Sequence, residues 1–319
     1  RALSGRGLTI VVEAEDEVAL LDAICTAAGV SQNVVLRINP DDVPKGFGAS
    51  MSGKPSQFGV DEAESGRVID RIMASKSLKL IGFHAYTGSM CLTPSAIAEN
   101  MANLCRLFAE ASARAVITPQ KLIFGAGFGV PYHAGQEPLD IAEVRALADA
   151  ALADLAADPV LGRAQRVLEI GRWITAPCGA LVTSVLSSKE SRGAPIVVCD
   201  AGFNNHLAAA GMMGSVFQKN YPIAVIRRAG DTPDLCDTQL AGPLCTSIDL
   251  LARKIALPRL ARGDVLAVLM SGAYGLTASP TRFISHVEPS EFALENGALR
   301  DIGESRLNAL GSLVEGLRR

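Results

Sequence analysis

No uninterrupted apolar run in this sequence reaches the roughly 18 residues needed to cross a bilayer, and the N-terminus lacks the charged-then-apolar layout of a secretion signal. Aromatic residues are only 5% of the chain, and Lys and Arg (30) are outnumbered by Asp and Glu (33) with no basic patch. Neither a nucleic acid nor a membrane is therefore an expected partner. The seven cysteines, Cys25, Cys91, Cys105, Cys178, Cys199, Cys236 and Cys245, are odd in number and scattered, with no C-x-x-C pair. That pattern argues against a disulfide framework and a zinc site and leaves most of them as small core residues, and with neither a membrane-length run nor a signal layout a cytoplasmic location is the default. No low-complexity linker is present either, so domains are expected to be packed rather than tethered.

What is present is enough apolar material for a large core: 319 residues, 49% of them hydrophobic. The first 175 or so residues repeat one pattern, an apolar run, a loop and an amphipathic stretch, which predicts parallel β/α units. The strand-like runs are Leu8–Val12, Val34–Ile38, Leu78–Phe83, Lys121–Phe124 and Arg166–Glu169; after the first step they recur about every 44 residues. Helices are expected at Glu17–Ala28, Pro94–Ala113 and Ile141–Ala157, the second opened by Thr93-Pro94 in a cap and first-turn pattern. This is the rhythm of a (β/α)8 TIM-type barrel, here lacking its first strands, since five units do not close it and Arg1-Ala-Leu-Ser-Gly5 reads as the tail of a helix. The missing units would amount to about 100–120 residues.

Near Cys178 the pattern changes. Gly179–Lys189, Pro195–Cys199, Pro222–Arg228 and Asp264–Met270 are β-type runs separated by turn residues, with a helix expected only around His206–Met213 and in the tail Glu304–Arg319. The expected division is a partial barrel over residues 1–177 and a mainly antiparallel β domain over 178–319.

In a parallel barrel, chemistry gathers at the C-terminal ends of the strands, so the residues after each run are the informative ones. They are Arg37-Ile-Asn-Pro40 and Pro55-Ser-Gln-Phe-Gly59, then His84-Ala-Tyr-Thr-Gly-Ser89, then Gly125-Ala-Gly-Phe-Gly129, then Glu169-Ile-Gly-Arg172. The three alternating glycines require that something approach the backbone closely. Their N–H groups, left free past a strand end, would suit a phosphate, and a tight turn without a ligand is the competing reading.

These motifs, continued by Asp200-Ala-Gly202, Gly242-Pro-Leu-Cys-Thr-Ser-Ile-Asp249 and Ser271-Gly-Ala-Tyr-Gly275, resemble in their order the fold-type III pyridoxal-phosphate amino-acid decarboxylases, the diaminopimelate and ornithine decarboxylase group. The Asn204–Gly211 run and the Pro-Leu-Cys-Thr form are most similar to the branch that acts on carrier-protein-tethered amino acids. The resemblance implies pyridoxal 5'-phosphate as cofactor and an α-decarboxylation as reaction. It makes Glu169 the acid that pairs with the pyridine nitrogen, and a carboxylate at the end of a buried strand would need such a cationic partner. A structural pairing of Glu169 with Arg172 is the bland alternative.

The resemblance further implies that Gly125, Gly127, Gly129, Ser89, Gly171, Arg172 and Tyr274 hold the phosphate, and that Tyr86 covers the ring where the family commonly has histidine. His84 is expected to hold its strand end by a hydrogen bond. Arg37 and Asp249 become candidate substrate ligands. Cys245 becomes the acid that reaches the partner subunit's site in a head-to-tail homodimer with shared active sites, a thiol of tunable pKa being suited to returning a proton. The family's cofactor-bearing lysine, in a context resembling Ala-Val-Lys-Ala-Asn, has no counterpart here. Two expectations follow: the chain is the C-terminal two-thirds of a decarboxylase, inactive without that lysine, or it is a non-catalytic homologue that binds and regulates an intact one.

Overall fold

The computed structural model describes residues 7–212, 219–227 and 234–303. Two compact units divide the chain, one of Arg1–Pro131 and Gly135–Ile174, the other of Tyr132–Ala134 and Thr175–Arg319.

In the first unit five strands, β1 (Thr9–Val12), β2 (Gln32–Asn39), β3 (Leu78–Tyr86), β4 (Lys121–Gly125) and β5 (Gln165–Glu169), pair in parallel and in chain order. Sequential parallel pairing with a helix in each crossover is the winding of a (β/α) barrel. The interior strands carry unbroken apolar runs because both of their faces are covered; Val34, Val35, Leu36, Phe83, Leu122 and Phe124 are all buried. Helices α1 (Glu15–Ala28), α2 (Ser65–Ala74), α3 (Pro94–Ala115) and α4 (Ile141–Ala157) supply the crossovers, and Phe108 of α3 meets Phe124 of β4 edge-on at 5.0 Å. Removing a fully buried ring such as Phe108 would cost about 3–5 kcal/mol.

Local chemistry sets the helix ends. The Asp140 carboxylate accepts from the Ala142 and Glu143 N–H groups and starts α4. Thr93 sits at the cap of α3 with Pro94 in the first turn, but its side chain makes no capping bond. Helix α1 ends on Gly29 at φ +64°, whereas α3 ends on Val116 in the same left-handed conformation at φ +52°. Helix α2 has no counterpart among the helices expected from the sequence, because its buried side chains are only Val68, Ile69 and Ile72, too few in a ten-residue helix to give a long period.

The second unit holds a six-stranded sheet in the order Ile223–Arg227, Val265–Val268, Leu181–Ser191, Ala194–Cys199, Leu235–Ala241, Leu250–Pro258. All its pairings are antiparallel except that between Ala194–Cys199 and Leu235–Ala241. The last two strands were not expected, because Leu235–Ala241 mixes Cys, Asp, Thr and Gln into its apolar positions. Where a helix was expected, residues 203–211 form successive turns, and Met213 lies outside the described residues. So do Arg1–Arg6, Arg228 and the tail Glu304–Arg319. Tyr132–Ala134 belong to this unit, not to the barrel, since Tyr132 packs on Tyr221 at 4.8 Å and His133 Nδ1 lies 3.1 Å from the Asn220 carbonyl.

Candidate active site

The C-terminal ends of the parallel strands carry a connected set of charged and aromatic groups. Arg37, near the end of β2, is ion-paired with Glu13, which follows β1. Its guanidinium lies 4.8 Å from the ring centre of Phe58 and 6.0 Å from that of Tyr86, the last residue of β3. His84, buried two residues earlier, has Nε2 3.1 Å from Oε2 of Glu169, the last residue of β5. The Glu169 carboxyl is held below its ordinary pKa, first by this hydrogen bond, then by the charges of His84 and Arg37 against an opposing desolvation. Because that carboxylate is ionised, the ring nitrogen facing it carries the proton and donates.

Strand β5 is the edge of the described sheet and largely exposed, and the Glu169 side chain keeps 44% of its accessibility. Its partner is His84 rather than Arg172, so the charge is stabilised from within the protein and one face of the carboxylate is open.

The glycine loop is approached closely, but by protein. A Cβ on Gly125 would lie 2.5 Å from the Tyr86 ring, one on Gly127 2.3 Å from the Phe47 ring, and one on Gly129 2.8 Å from the Cys91 carbonyl. The Gly129 N–H is not free for an anion: it donates to Cys91 O, while Cys91 N–H donates to Gly127 O. The loop is thus laced to residues 88–91, where Ser89 pairs through its backbone with Ala49. Gly171 and Arg172 open the short helix Gly171–Thr175, and a Cβ on Gly171 would meet nothing within 4 Å.

In the second unit, Asp249 is not placed as a substrate ligand. It is 2% exposed; Oδ1 accepts from the Phe203 N–H and Oδ2 from the Leu244 N–H, each at 2.8 Å. Burial raises its pKa, and the two backbone bonds oppose that rise. Gly202 and Gly242 are the residues that make room, since a Cβ on either would lie 2.4 or 2.2 Å from this carboxylate. Two motifs that look separate in the sequence are therefore one clamp, and Cys245 stands exposed in the turn it holds. Nearby, His206 is fully buried and burial lowers its pKa to about 4; its Nδ1 accepts from the Ala209 N–H and its ring meets Tyr221 edge-on at 5.0 Å. Tyr274 is exposed, at φ +53°.

The first unit brings together Arg37, Tyr86, the glycine loop and Glu169, and adds Glu13, Phe58 and Phe47, which the sequence reading left without roles. Phe58 and Glu13 carried a signal, the one in Pro55–Gly59 after the second strand-like run and the other directly after Leu8–Val12; Phe47 had none. The donor set fits pyridoxal phosphate: a carboxylate held ionised yet open for a pyridinium N–H, an aromatic face beside it, and a backbone loop of small residues. Among the described residues no group of three or more His, Cys, Asp or Glu could hold a metal ion, and no helix is long and apolar enough to cross a membrane.

A parallel β/α sheet with an acid closing its last strand, followed by a mainly antiparallel β unit, is the arrangement that the resemblance to the pyridoxal-phosphate decarboxylases implies. The chain belongs to the pyridoxal-dependent decarboxylase family: residues 1–176 match the model described as "Pyridoxal-dependent decarboxylase, pyridoxal binding domain". It is 35% identical over 295 residues to the L-glutamyl-[BtrI acyl-carrier protein] decarboxylase of Niallia circulans, covering 91% of this chain and 68% of that one. It is 33% identical over 252 residues to the diaminopimelate decarboxylase of Methanothermobacter thermautotrophicus, covering 79% of this chain but only 57% of that relative. Among solved structures, the diaminopimelate decarboxylase of Helicobacter pylori complexed with L-lysine superposes with a TM-score of 0.77 at 26% identity, over 95% of this chain and 74% of that one. These relatives are enzymes, and the non-catalytic alternative finds no support among them.

Proposed function

We propose that this chain, joined to a segment bearing the cofactor lysine, carries out pyridoxal-phosphate-dependent α-decarboxylation of an amino acid presented on a carrier protein. The observation that carries the reaction is the Glu169–His84 pair, a carboxylate kept charged at the strand ends with an open face. When bound there, the cofactor supplies an electron-accepting pyridinium ring. Glu169 would keep the pyridine nitrogen protonated, Tyr86 would cover the ring, and Gly125, Gly127, Ser89, Gly171, Arg172 and Tyr274 would hold the phosphate, with Gly129 letting the loop lie against Cys91 instead of donating its bonded N–H. Cys245 delivers a proton to the carbon that has lost CO2, acting across a homodimer so that each site is shared.

The carrier-linked substrate is supported by what the Cys245 turn lacks. A diamine substrate has a distal ammonium that needs an anion, and residues 242–248 contain no acid. The one carboxylate beside them, Asp249, is buried with both oxygens on backbone N–H groups. The 35% identity to a carrier-protein glutamyl decarboxylase points the same way. No disulfide joins any of the seven cysteines, which suits the reducing cytoplasm.

The test is CO2 release from an L-glutamyl carrier-protein thioester and from meso-diaminopimelate, with added pyridoxal phosphate and the chain extended by a cofactor-lysine segment. Release from the thioester is expected. Release from the diamine alone would overturn the substrate assignment, and release from neither would overturn the enzymatic one.

A further inference from the structure

Asn100 is a polar residue in the wrong company. It lies on α3 among the buried Ile97, Met101 and Leu104, and it is itself fully buried. A buried primary amide is unfavourable unless its groups are bonded, and here both are. Thr87 Oγ1, also fully buried, donates to Asn100 Oδ1 at 2.6 Å, and Asn100 Nδ2 donates to the Gly125 carbonyl at 3.3 Å. One side chain thereby ties α3 to the residue after β3 and to the last residue of β4.

The second bond has a directional consequence. In a trans peptide the C=O and N–H point opposite ways, so holding the Gly125 carbonyl toward α3 turns the Ala126 N–H away from it. That N–H donates to the backbone carbonyl of Glu169 at 3.3 Å. The first peptide plane of the glycine loop is pinned at one edge by Asn100 and at the other by the residue that bears the catalytic acid. Thr87 is itself anchored, its carbonyl accepting from the Met51 N–H at 2.9 Å.

We propose that Asn100, oriented by Thr87, is a positioning residue that sets the glycine loop for the phosphate of the cofactor and keeps that loop in register with Glu169. The proposal rests on the assignment of the loop to the cofactor phosphate made above. Its expected signature is a loss of preference for the phosphate, because the peptide plane that Asn100 holds begins the glycine loop.

The chain provides its own reporter. Its single tryptophan, Trp173, stands edge-on to Phe128 of the glycine loop with ring centres 6.2 Å apart. Trp173 fluorescence of the full chain would be titrated with pyridoxal phosphate and, separately, with pyridoxal, which keeps the aldehyde and ring but lacks the phosphate. Wild type is expected to prefer the phosphorylated form. Asn100→Leu and Thr87→Val are each expected to lose about tenfold in affinity for pyridoxal phosphate, with pyridoxal affinity changed less than about twofold, while Thr87→Ser retains the preference. Should Asn100→Leu fail to fold, the nearly isosteric Thr87→Val decides. A full phosphate preference in the folded variants would overturn the positioning role alone. No preference in wild type would overturn the assignment of the loop to phosphate, and this proposal with it.

Discussion

At the scale of single residues, the site is organised by one hydrogen bond between residues 85 positions apart, His84 to Glu169. It is the largest of the effects that hold the Glu169 carboxyl below its ordinary pKa. A carboxyl depressed in the folded state contributes stability above the ordinary carboxylate range and loses it as pH falls through the depressed value. Replacing His84 by Leu removes that contribution and leaves desolvation unopposed except by Arg37, so the acid limb of cofactor binding moves to higher pH. The expected loss of pyridoxal phosphate affinity at neutral pH is about fivefold, the order of one charge-assisted hydrogen bond at a half-exposed carboxylate. Titrations of wild type and His84→Leu across the acid range measure both; superimposable pH profiles would show that the pair does not tune Glu169. That His84 makes a strand-end hydrogen bond was legible in the sequence from its place before Tyr86. Its partner was not, because nothing local in either segment encodes which strand ends become neighbours.

At the scale of elements, the helices and strands carry unequal strain. Helix α3 closes on Val116 at φ +52°, a left-handed conformation in which a β-branched side chain clashes with the backbone, and Val116 is 88% exposed with no packing to lose. Helix α1 solves the same problem with Gly29. Val116→Gly is therefore expected to stabilise the chain by about 0.5–1 kcal/mol, the relief of strain exceeding the added freedom of the unfolded chain. Urea unfolding midpoints of wild type, Val116→Gly and Val116→Ala would check it, and a lower midpoint for glycine would refute it. The element periods were readable from apolar spacing, as for Ile141–Ala157. Helix α2 and the strands Leu235–Ala241 and Leu250–Pro258 were not, because short elements with mixed faces give no period of their own.

At the scale of the whole molecule, the proposed chemistry divides between units, Glu169 in the first and Cys245 in the second. If the shared homodimer site holds, Glu169→Gln and Cys245→Ala variants of the chain extended by a cofactor-lysine segment, each inactive alone, complement one another when mixed and re-formed as dimers. Random reassortment gives mixed dimers as about half of the total, each with one intact site, and so roughly one quarter of wild-type decarboxylation. Failure of any mixture to recover activity, with mixed dimers demonstrated by mass, would place both residues in the same subunit's site.

The sequence by itself determined the alternation of apolar runs and amphipathic helices, the glycines after β4, the acid after β5 and the cysteine turn, because each is a pattern within a short window. Only the tertiary structure decided what those patterns meet. The alternating glycines admit Tyr86, Phe47 and Cys91; Asp249 closes on Gly202 and Gly242 rather than facing a substrate; and Asn100 grips a peptide plane whose other edge belongs to Glu169. These are distances between groups far apart in the chain. Composition and spacing state which residues are available, but how closely two backbones approach, and which buried amide finds which carbonyl, is set by the packing of the elements as a whole.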